Sequence, residues 1–377
     1  MMVLDKNDPN YRQCSMSVMD NIADPDITFD ENGICNYYYE YREAEKKQVL
    51  KGETGEKKYN DIIAQIKEDG KEKKYDCILG VSGGVDSTYL AYLAKQAGLR
   101  VLCVHFDNGW NSELAVKNIQ NIVEKCGFDL FTYVIDWEEF KDIQLAYFKA
   151  NVIDIEAVTD IAIFSALNII CKEQGIKHII DGRNVVTEVT LPQAWICKNS
   201  SNLRDIHKRF GTKKLKAYPL MSPIRRRLAA RSKSFQSWPL LNYVVYNKKE
   251  AKDKIISELS WRDYGGKHYE SVFTRFYQGY ILPSKFKVDK RKAHLSNLIF
   301  SGQLTKFEAL EELEQPIYPQ SIFEQDLHFV LKKLGYTESD FNKYLNSPAE
   351  AHSKYEMSLS IFDEYLFLKP LKIFFNK

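Results

Sequence analysis

Short apolar runs that alternate with amphipathic stretches, from Tyr75 to Ile180, constrain the fold more than any other feature of the sequence. Each run is long enough for one buried strand, and each amphipathic stretch has apolar residues at helical spacing. The runs predict four strands, at residues 76–81, 100–106, 130–135 and 177–180. Strands and helices in this order form βαβ units, so the sequence predicts an α/β fold with a parallel sheet flanked by helices.

The hydrophobic pattern divides the chain of 377 residues into three zones. Residues 1–74 are polar and rich in turn-forming residues, residues 75–247 carry the alternating pattern, and residues 248–377 show mostly helical spacing. We interpret these zones as an N-terminal segment with a linker, an α/β domain and a helical C-terminal region. The length is enough for about two domains, or for one domain with large additions.

Charge and cysteine content exclude several classes of protein. Lysine and arginine number 53 against 51 aspartates and glutamates, so no overall electrostatic field favours nucleic acid or a membrane surface. The seven cysteines show no close spacing and predict no disulfide framework. No apolar stretch approaches the roughly 18 residues of a membrane-spanning helix. We therefore expect a soluble, cytoplasmic protein without a membrane span.

The stretch from Lys198 to Arg231 is locally basic, although the chain as a whole is nearly neutral. Two interpretations of this stretch stay open. It is either a solvated surface segment or a site for an anionic substrate, such as a nucleotide diphosphate.

The segment Val81-Ser-Gly-Gly-Val-Asp-Ser87 lies where the first predicted strand ends and the first predicted helix begins. Glycines at 83 and 84 lack the Cβ atom that would keep the backbone away from an anion. The helix directs its free N–H groups and the positive end of its dipole at the same place. These features predict a pyrophosphate-binding loop, which is not of the Walker type because no lysine follows Gly84. A tight turn without a ligand is the structural alternative.

The string Ser82-Gly-Gly-Val-Asp-Ser87 resembles the PP-loop of the ATP pyrophosphatase superfamily, which includes GMP, NAD and asparagine synthetases. These enzymes cleave ATP between the α- and β-phosphates and transfer AMP to a carbonyl oxygen. The resemblance implies an adenine nucleotide alpha hydrolase-like, Rossmann-like fold that uses ATP and Mg²⁺, with Asp86 near the metal. It implies ATP contacts from the whole loop, namely Ser82, Gly83, Gly84, Val85, Asp86 and Ser87.

Two further segments follow predicted strands and belong to the same edge of the sheet. His105 and Asp107 lie at the end of the second strand, where the superfamily holds adenosine, and Asp107 is a candidate partner for Mg²⁺ or ribose. Gly182 and Arg183 follow the fourth strand, and Arg183 is a candidate for binding the phosphates. His105 can equally be a core histidine at a strand end.

Two segments, from Cys14 to Tyr38 and from Gly265 to His294, narrow the superfamily to one family. Together with the PP-loop they resemble the N-acetyl sugar amidotransferases of surface-polysaccharide (lipopolysaccharide, O-antigen) biosynthesis, over nearly the whole chain. The resemblance implies a reaction in which ATP activates the acetamido oxygen of a nucleotide-activated N-acetyl sugar. Ammonia then replaces that oxygen to give an acetamidino sugar, and AMP and pyrophosphate are released.

Four residues are candidates for the chemistry. One is Asp86 of the loop, and the others are Lys267, His268 and Arg275 of the second family-specific segment. Arginine suits a carboxylate or a diphosphate because its planar guanidinium can bind two oxygens at once. Without the resemblance, the three C-terminal residues are charges on amphipathic helices, and most such charges are solvated.

The source of ammonia must lie outside the chain, since the sequence has no N-terminal cysteine nucleophile and no recognisable Cys-His glutaminase segment. Ammonia then comes from solution or from a partner. The resemblance implies a glutaminase subunit similar to that of imidazole glycerol phosphate synthase, with a cyclase-like companion as the conduit.

The N-terminal segment departs from the family pattern in its cysteines. Relatives carry two Cys-x-x-Cys pairs in a zinc-ribbon-like arrangement, whereas this chain keeps Cys14 and Cys35 but has Ser17 and Tyr38 at the partner positions. Two thiolates cannot complete a tetrahedral zinc site, so we predict no structural zinc. We expect packing to hold the segment instead, through the tyrosines at 37, 38, 39 and 41.

Two other functions stay open. A PP-loop tRNA-modifying ligase or thiolase shares the loop, but the chain has no Cys-x-x-Cys pair and its near-neutral charge is unfavourable for binding a phosphate backbone. We therefore expect no nucleic-acid partner. A non-catalytic nucleotide-binding subunit would bind ATP without releasing pyrophosphate, and the intact loop disfavours it.

Overall fold

A parallel sheet of five strands forms the centre of the fold in the computed structural model, which describes residues 8–221, 235–266 and 269–357. The strands are β1 (Cys77–Gly80), β2 (Val101–Asp107), β3 (Asp129–Val134), β4 (His178–Ile180) and β5 (Gln236–Trp238). The four predicted strands and the predicted parallel sheet are confirmed. Strand β5 is not predicted from the sequence, because its three residues include a single apolar side chain and so show no pattern of strand burial.

Helices connect the strands and cover the sheet, as the alternating pattern predicts. In chain order they are α1 (Asn36–Gln48), α2 (Gly52–Gly70), α3 (Val85–Gln96), α4 (Glu113–Cys126), α5 (Trp137–Ala150), α6 (Ala157–Glu173), α7 (Val185–Glu188) and α8 (Ser200–Phe210). The central strand β1 is buried on both faces, and its Ile78 and Leu79 have no solvent exposure. This burial is typical of a parallel sheet with helices on both sides.

The strand order β3-β2-β1-β4-β5 fixes where a ligand can bind. The chain first builds β2 and β3 on one side of β1 and then returns to place β4 and β5 on the other side. The order therefore reverses between β1 and β4, and ligands of such sheets bind beyond the carboxyl ends of the strands at this reversal. The loops at residues 81–84 and 181–184 flank this point.

The C-terminal region is helical, as its spacing predicts. Its helices are α9 (Lys248–Leu259), α10 (Val272–Phe276), a π-helix (Tyr277–Phe286), α11 (Arg291–Phe300), α12 (Lys306–Glu314), α13 (Gln320–Leu334) and α14 (Glu338–Asn346). The π-helix, which contains Pro283, is not predicted, because the spacing rules describe only the commoner α-helical period. No helix of the described ranges is both long enough and apolar enough to cross a membrane.

A short stretch of the C-terminal region lies against the loop that follows β2. Asn111 and Ser271 form an isolated antiparallel bridge. The Ser112 N–H donates to the Glu270 carbonyl oxygen at 2.9 Å. The Val272 N–H donates to the Trp110 carbonyl oxygen at 2.8 Å. These bonds bring residues 270–272 to the carboxyl ends of the strands, where the ligand is expected.

Tyrosines help to hold the N-terminal segment, as predicted, and two of them pack it onto the C-terminal region. Tyr41 is fully buried, and its ring centroid lies 5.4 Å from that of Phe300. The ring of Tyr38 lies 5.5 Å from the same phenylalanine, and Tyr37 is buried. Tyr39 is 48% exposed, but its hydroxyl donates to Asp30 Oδ2 at 2.7 Å and its ring centroid lies 5.5 Å from that of Tyr38, so it also helps to hold the segment.

Candidate functional site

Gly83 makes the turn at the end of β1. Its φ of +82° lies in the left-handed region, which only glycine adopts at low cost. A Cβ atom at this position would lie 2.8 Å from the carbonyl oxygen of Ala115 in α4. Both the backbone conformation and the lack of space therefore require glycine at residue 83.

Hydroxyl groups hold the loop in shape around the start of α3. Ser82 Oγ accepts a hydrogen bond from the Gly84 N–H at 3.2 Å. Ser87 and Thr88 donate to the Gly84 carbonyl oxygen at 3.2 and 2.6 Å. No side chain caps the start of this helix, so its first N–H groups can be bound by an anion. The predicted loop and helix start are present, and ATP binding by residues 82–87 stays a prediction.

Trp261 supports the loop from the C-terminal region, which sequence reasoning missed. Its indole N–H donates to the Gly83 carbonyl oxygen at 2.8 Å, and the tryptophan is buried. The next residue, Arg262, exchanges two backbone hydrogen bonds of 2.9 Å with the side chain of Asn118 in α4. Because these partners lie far from the loop in the chain, no local pattern could have identified them.

Asp86 lies in the first turn of α3 and is held by a second missed residue. The hydroxyl of buried Tyr246 donates to Asp86 Oδ1. Gly182 lies on the other side, where a Cβ atom would be 3.2 Å from Asp86 Cβ and 3.3 Å from the Ser87 backbone nitrogen. The glycine after β4 therefore allows the two loops at the strand reversal to approach closely, and its predicted contact with ATP stays a prediction.

His105 and Asp107 lie at the end of β2 and are joined through Asn111. The Asn111 amide lies 3.1 Å from His105 Nε2 and 3.0 Å from Asp107 Oδ1, and His105 Nδ1 lies 3.3 Å from the Val81 carbonyl oxygen. Burial lowers the pKa of His105, which favours the neutral imidazole that these contacts require. The contacts fit the alternative of a core histidine, while His105 also lines the central cleft. Its contact with adenosine stays a prediction.

Arg183 follows β4 at the strand reversal, as predicted, and its guanidinium forms an ion pair with Asp181. Its Nε and Nη2 donate to the two carboxylate oxygens of Asp181 at 2.9 and 2.8 Å. Nη2 also lies 3.1 Å from Ser237 Oγ in β5. A phosphate bound here would share the guanidinium with Asp181, so phosphate binding by Arg183 remains a prediction.

Arg275 lines the cleft from α10 and is also paired with an acid. Its Nη2 lies 2.7 Å from Asp326 Oδ1, and its Nε binds the other oxygen of this buried carboxylate. The hydroxyl of Tyr318 donates to Asp326 as well. Two other candidates for the chemistry, Lys267 and His268, lie outside the described residues.

The sequence predicts that the chain binds Mg²⁺ together with ATP and that it holds no structural zinc. No group of three or more His, Cys, Asp or Glu side chains that could hold a metal ion occurs within residues 8–221, 235–266 and 269–357. Magnesium carried by a nucleotide needs only one or two carboxylates, because the phosphates supply other ligands, and Asp86 fits that need. Cys14 and Cys35 meet, with the Cys35 N–H 3.2 Å from Cys14 Sγ, while Ser17 takes the place of a third thiol near Cys35. The absence of zinc stays a prediction.

One large cleft joins these features. It has a volume of about 1380 Å³ and opens beyond the carboxyl ends of β1, β2 and β4. Its lining includes Ser82, His105 and Arg183 of the α/β domain, together with Gly265, Gly266 and several residues between Tyr269 and His294 of the C-terminal region. Roughly 300–1,000 Å³ is usual for a pocket with one small ligand, so this cleft has room for a nucleotide and a second substrate.

The basic stretch that begins at Lys198 divides between the cleft and the surface. Lys198 itself lines the cleft. Further along, Arg209 pairs with Asp205 at 2.7 Å and Lys213 pairs with Glu138 at 2.7 Å, both at exposed positions. The part of the stretch from residue 222 to Arg231 lies outside the described residues.

Two family models match separate parts of the chain. The model described as "LPS biosynthesis protein WbpG-like, C-terminal domain" matches residues 270–368, and the model described as "Queuosine biosynthesis protein QueC" matches residues 76–221. Together these matches support the PP-loop ATP pyrophosphatase superfamily, whose members are ATP-using enzymes. Neither match covers half of the chain.

Similar curated proteins include several tRNA(Ile)-lysidine synthases. The protein of Chlamydia pneumoniae is 36% identical over 76 residues, which are 20% of this chain and 23% of that protein. The protein of Thermus thermophilus is 25% identical over 155 residues, or 41% of this chain and 29% of that protein. The protein of Chlamydia muridarum is 27% identical over 159 residues, or 41% and 45%. The chain thus spans less than half the length of each of these relatives.

Two solved structures align with the chain at low similarity. One is an NMN synthetase from Francisella tularensis, with a TM-score of 0.36, 12% identity and coverage of 72% of this chain and 94% of that one. The other is an NH3-dependent NAD synthetase from Campylobacter jejuni, with a TM-score of 0.29, 16% identity and coverage of 41% and 72%. TM-scores this low carry no argument, so the fold assignment rests on the sheet order and the loop geometry described above.

Proposed function

We propose that the chain is an ATP-dependent amidotransferase that acts on a nucleotide-activated N-acetyl sugar. It adenylylates the acetamido oxygen and lets ammonia displace AMP, so that an acetamidino sugar results. One observation carries the proposal, namely that a single cleft is lined both by Ser82 of the PP-loop and by described residues of the family-specific segment, among them Glu270, Arg275 and Lys290. The WbpG-like match begins inside that segment and supports a place in lipopolysaccharide (O-antigen) biosynthesis.

The chemistry requires activation because an amide carbon is a poor electrophile. The acetamido oxygen attacks the α-phosphorus of ATP, and pyrophosphate leaves. Ammonia then attacks the activated carbon and loses a proton, and AMP departs with the former amide oxygen. Such a reaction needs positioning and charge stabilisation more than a covalent nucleophile from the protein.

The described residues can supply that positioning. The uncapped start of α3 and the backbone of residues 82–84 are placed to hold the phosphates and the departing pyrophosphate. Mg²⁺ bound with ATP would neutralise phosphate charge beside Asp86. The Tyr246 hydroxyl holds that carboxylate in place beside the loop, and the lack of a side chain at Gly182 leaves space next to it.

Ammonia is proposed to come from a partner. The partner would be a glutaminase subunit similar to that of imidazole glycerol phosphate synthase, with a cyclase-like companion that conducts ammonia to the cleft. Free ammonium should replace the partners at high concentration. Glutamine-dependent turnover by the purified single chain would contradict this part of the proposal.

The first experiment mixes the purified chain with ATP, Mg²⁺, an ammonium salt and a panel of UDP- and CMP-activated N-acetyl sugars. We expect AMP and pyrophosphate to appear with at least one sugar, together with a product whose mass shows oxygen replaced by NH. A matched control omits ammonium and should give no amidine. ATP binding without pyrophosphate release in every reaction, also with the glutaminase pair added, would favour the non-catalytic alternative.

A tRNA-modifying ligase is the second candidate function, because the first half of the chain is similar to enzymes of that kind. The QueC match and the similarity to tRNA(Ile)-lysidine synthases both fall on the half of the chain that contains the PP-loop. The same assay with total tRNA in place of sugar distinguishes the two functions. AMP release that depends on tRNA, and that weakens as salt is raised, would favour the ligase.

A further inference from the structure

A mixed cluster of charges lines the cleft around the start of α6. It consists of Glu156 and Asp160 at the start of α6, Lys198 before α8 and Lys290 before α11. Lys290 Nζ lies 3.0 Å from Glu156 Oε2, and Lys198 Nζ lies 2.8 Å from Asp160 Oδ2. The cluster therefore alternates two carboxylates with two ammonium groups, drawn from three separate parts of the chain.

Each lysine of the cluster interacts with the carboxylates of both ion pairs, and not only with its own partner. Burial lowers the pKa of Lys290, but Glu156, Asp154 and Asp160 more than offset that effect, so the pKa of the ammonium lies above its ordinary value. The amide of Gln278 adds a neutral donor, 2.9 Å from Glu156 Oε2. The ammonium groups therefore stay charged at neutral pH, and the cluster has little net charge.

This charge pattern does not suit a diphosphate. Over the described lining of the whole cleft, carboxylates outnumber lysine and arginine side chains, seven to five, so phosphates find no excess of positive side-chain charge there and depend on the backbone N–H groups of the PP-loop. A phosphate placed at the cluster would also face Glu156 and Asp160 at close range. A hydroxyl group, by contrast, both donates and accepts hydrogen bonds, and an amide does the same through two atoms. Alternating carboxylates and ammonium groups satisfy such groups well.

We propose that Glu156, Asp160, Lys198, Lys290 and Gln278 bind the hydroxyl and amide groups of the sugar ring of the second substrate. This inference rests on the proposed function, since it locates the acceptor of that same reaction. It leaves the phosphates of ATP at the PP-loop and separates recognition of the ring from recognition of the nucleotide. The ring-binding cluster, defined by these five residues, also joins the α/β domain to the C-terminal region, so it exists only in the folded chain.

Binding measurements test the ring-binding cluster without requiring turnover. The variants are Glu156→Gln, which keeps the shape and removes a charge, and Lys198→Met, at a more exposed position that a fold should tolerate. The control is Lys213→Met, which removes the surface ion pair with Glu138 outside the cleft. The probes are UDP- and CMP-activated N-acetyl sugars, and UDP, CMP and an ATP analogue alone. Calorimetry gives affinity, and saturation-transfer NMR shows which ligand protons contact the protein.

We expect both cluster variants to weaken binding of the preferred nucleotide sugar by about tenfold or more, because each removes a charged hydrogen-bond partner. In both cluster variants the ring protons of the sugar should lose saturation transfer, while affinity for the bare nucleotides and the ATP analogue should change less than about twofold. In the control variant, affinity for every ligand should change less than about twofold. An equal loss for UDP or CMP alone would assign the cluster to phosphates and overturn the inference. Unchanged sugar binding in both variants would show a purely structural cluster. Failure of every nucleotide sugar to bind the wild-type chain would contradict the proposed function itself.

Discussion

Gly83 and Gly127 adopt similar backbone conformations, with φ of +82° and +69°, yet only Gly83 has another chain atom within close range of its missing Cβ. Gly127 ends α4 and has open space around it. The same substitution at the two positions therefore separates the general cost of a left-handed alanine from the specific cost of a side chain in the loop.

We predict that Gly83→Ala abolishes measurable binding of an ATP analogue and destabilises the fold more than Gly127→Ala does. The latter should lose about 1 kcal/mol of stability, the cost of a left-handed L-residue, and should bind nucleotide normally. Calorimetric titration and urea unfolding of both variants measure the two effects. Normal nucleotide affinity in Gly83→Ala would contradict the assignment of the loop.

Tyr246 gives a second prediction at the scale of the residue. Tyr246→Phe keeps the buried ring and removes the hydrogen bond to Asp86, so the carboxylate loses its fixed position. We expect kcat to fall about tenfold, consistent with one lost charge-assisted bond, while the fold stays intact. Tyr89→Phe, on the ring that packs against Tyr246, is the matched control and should retain activity. Equal activity of both variants would show that Asp86 needs no such support.

At the scale of elements, α10 and α13 meet through the ion pair of Arg275 with Asp326. Variants of this pair show whether Arg275 serves the fold or the reaction. Arg275→Gln leaves the buried carboxylate of Asp326 without its guanidinium, which should cost about 3–5 kcal/mol. The double variant with Asp326→Asn should regain most of that stability. Because Arg275 lines the cleft, we expect turnover to stay low in the double variant. Recovery of turnover together with stability would make the arginine structural.

His352 begins a short 3₁₀-helix (His352–Lys354) and contacts the loop before α6. Its Nε2 accepts from the Asp154 N–H at 3.1 Å, and burial lowers its pKa to about 4 from the ordinary 6.5. Below about pH 6.5 the unfolded chain binds a proton that the folded chain does not, so stability falls as the pH is lowered and the loss is complete near pH 4, at about 3 kcal/mol in all.

Urea unfolding between these pH values measures the loss, and His352→Gln should remove that part of the slope. Burial raises the pKa of Asp154 to about 7, which gives an opposite slope, so the difference between wild type and variant isolates the histidine. An identical slope in His352→Gln would contradict the low pKa of the imidazole.

For the molecule as a whole, the sequence was sufficient to predict the sheet and the loop but not the other wall of the site. Strands β1 to β4 and the turn at Gly83 follow from local patterns, because burial on both faces and a left-handed turn each select few residue types. Trp261, Tyr246 and Glu156 could not be predicted, since they reach the site through tertiary contacts that no local spacing encodes. Strand β5 was missed for want of length.

The most direct test of the proposed reaction follows the acetamido oxygen. A nucleotide-activated N-acetyl sugar with a heavy-oxygen label in its acetamido group is incubated with the chain, ATP, Mg²⁺ and ammonium, and AMP is analysed by mass spectrometry. Adenylylation of that oxygen predicts one labelled oxygen in AMP for each acetamidino sugar formed. Amidine formation with unlabelled AMP would contradict the mechanism, and AMP that forms with tRNA but with no sugar would contradict the function.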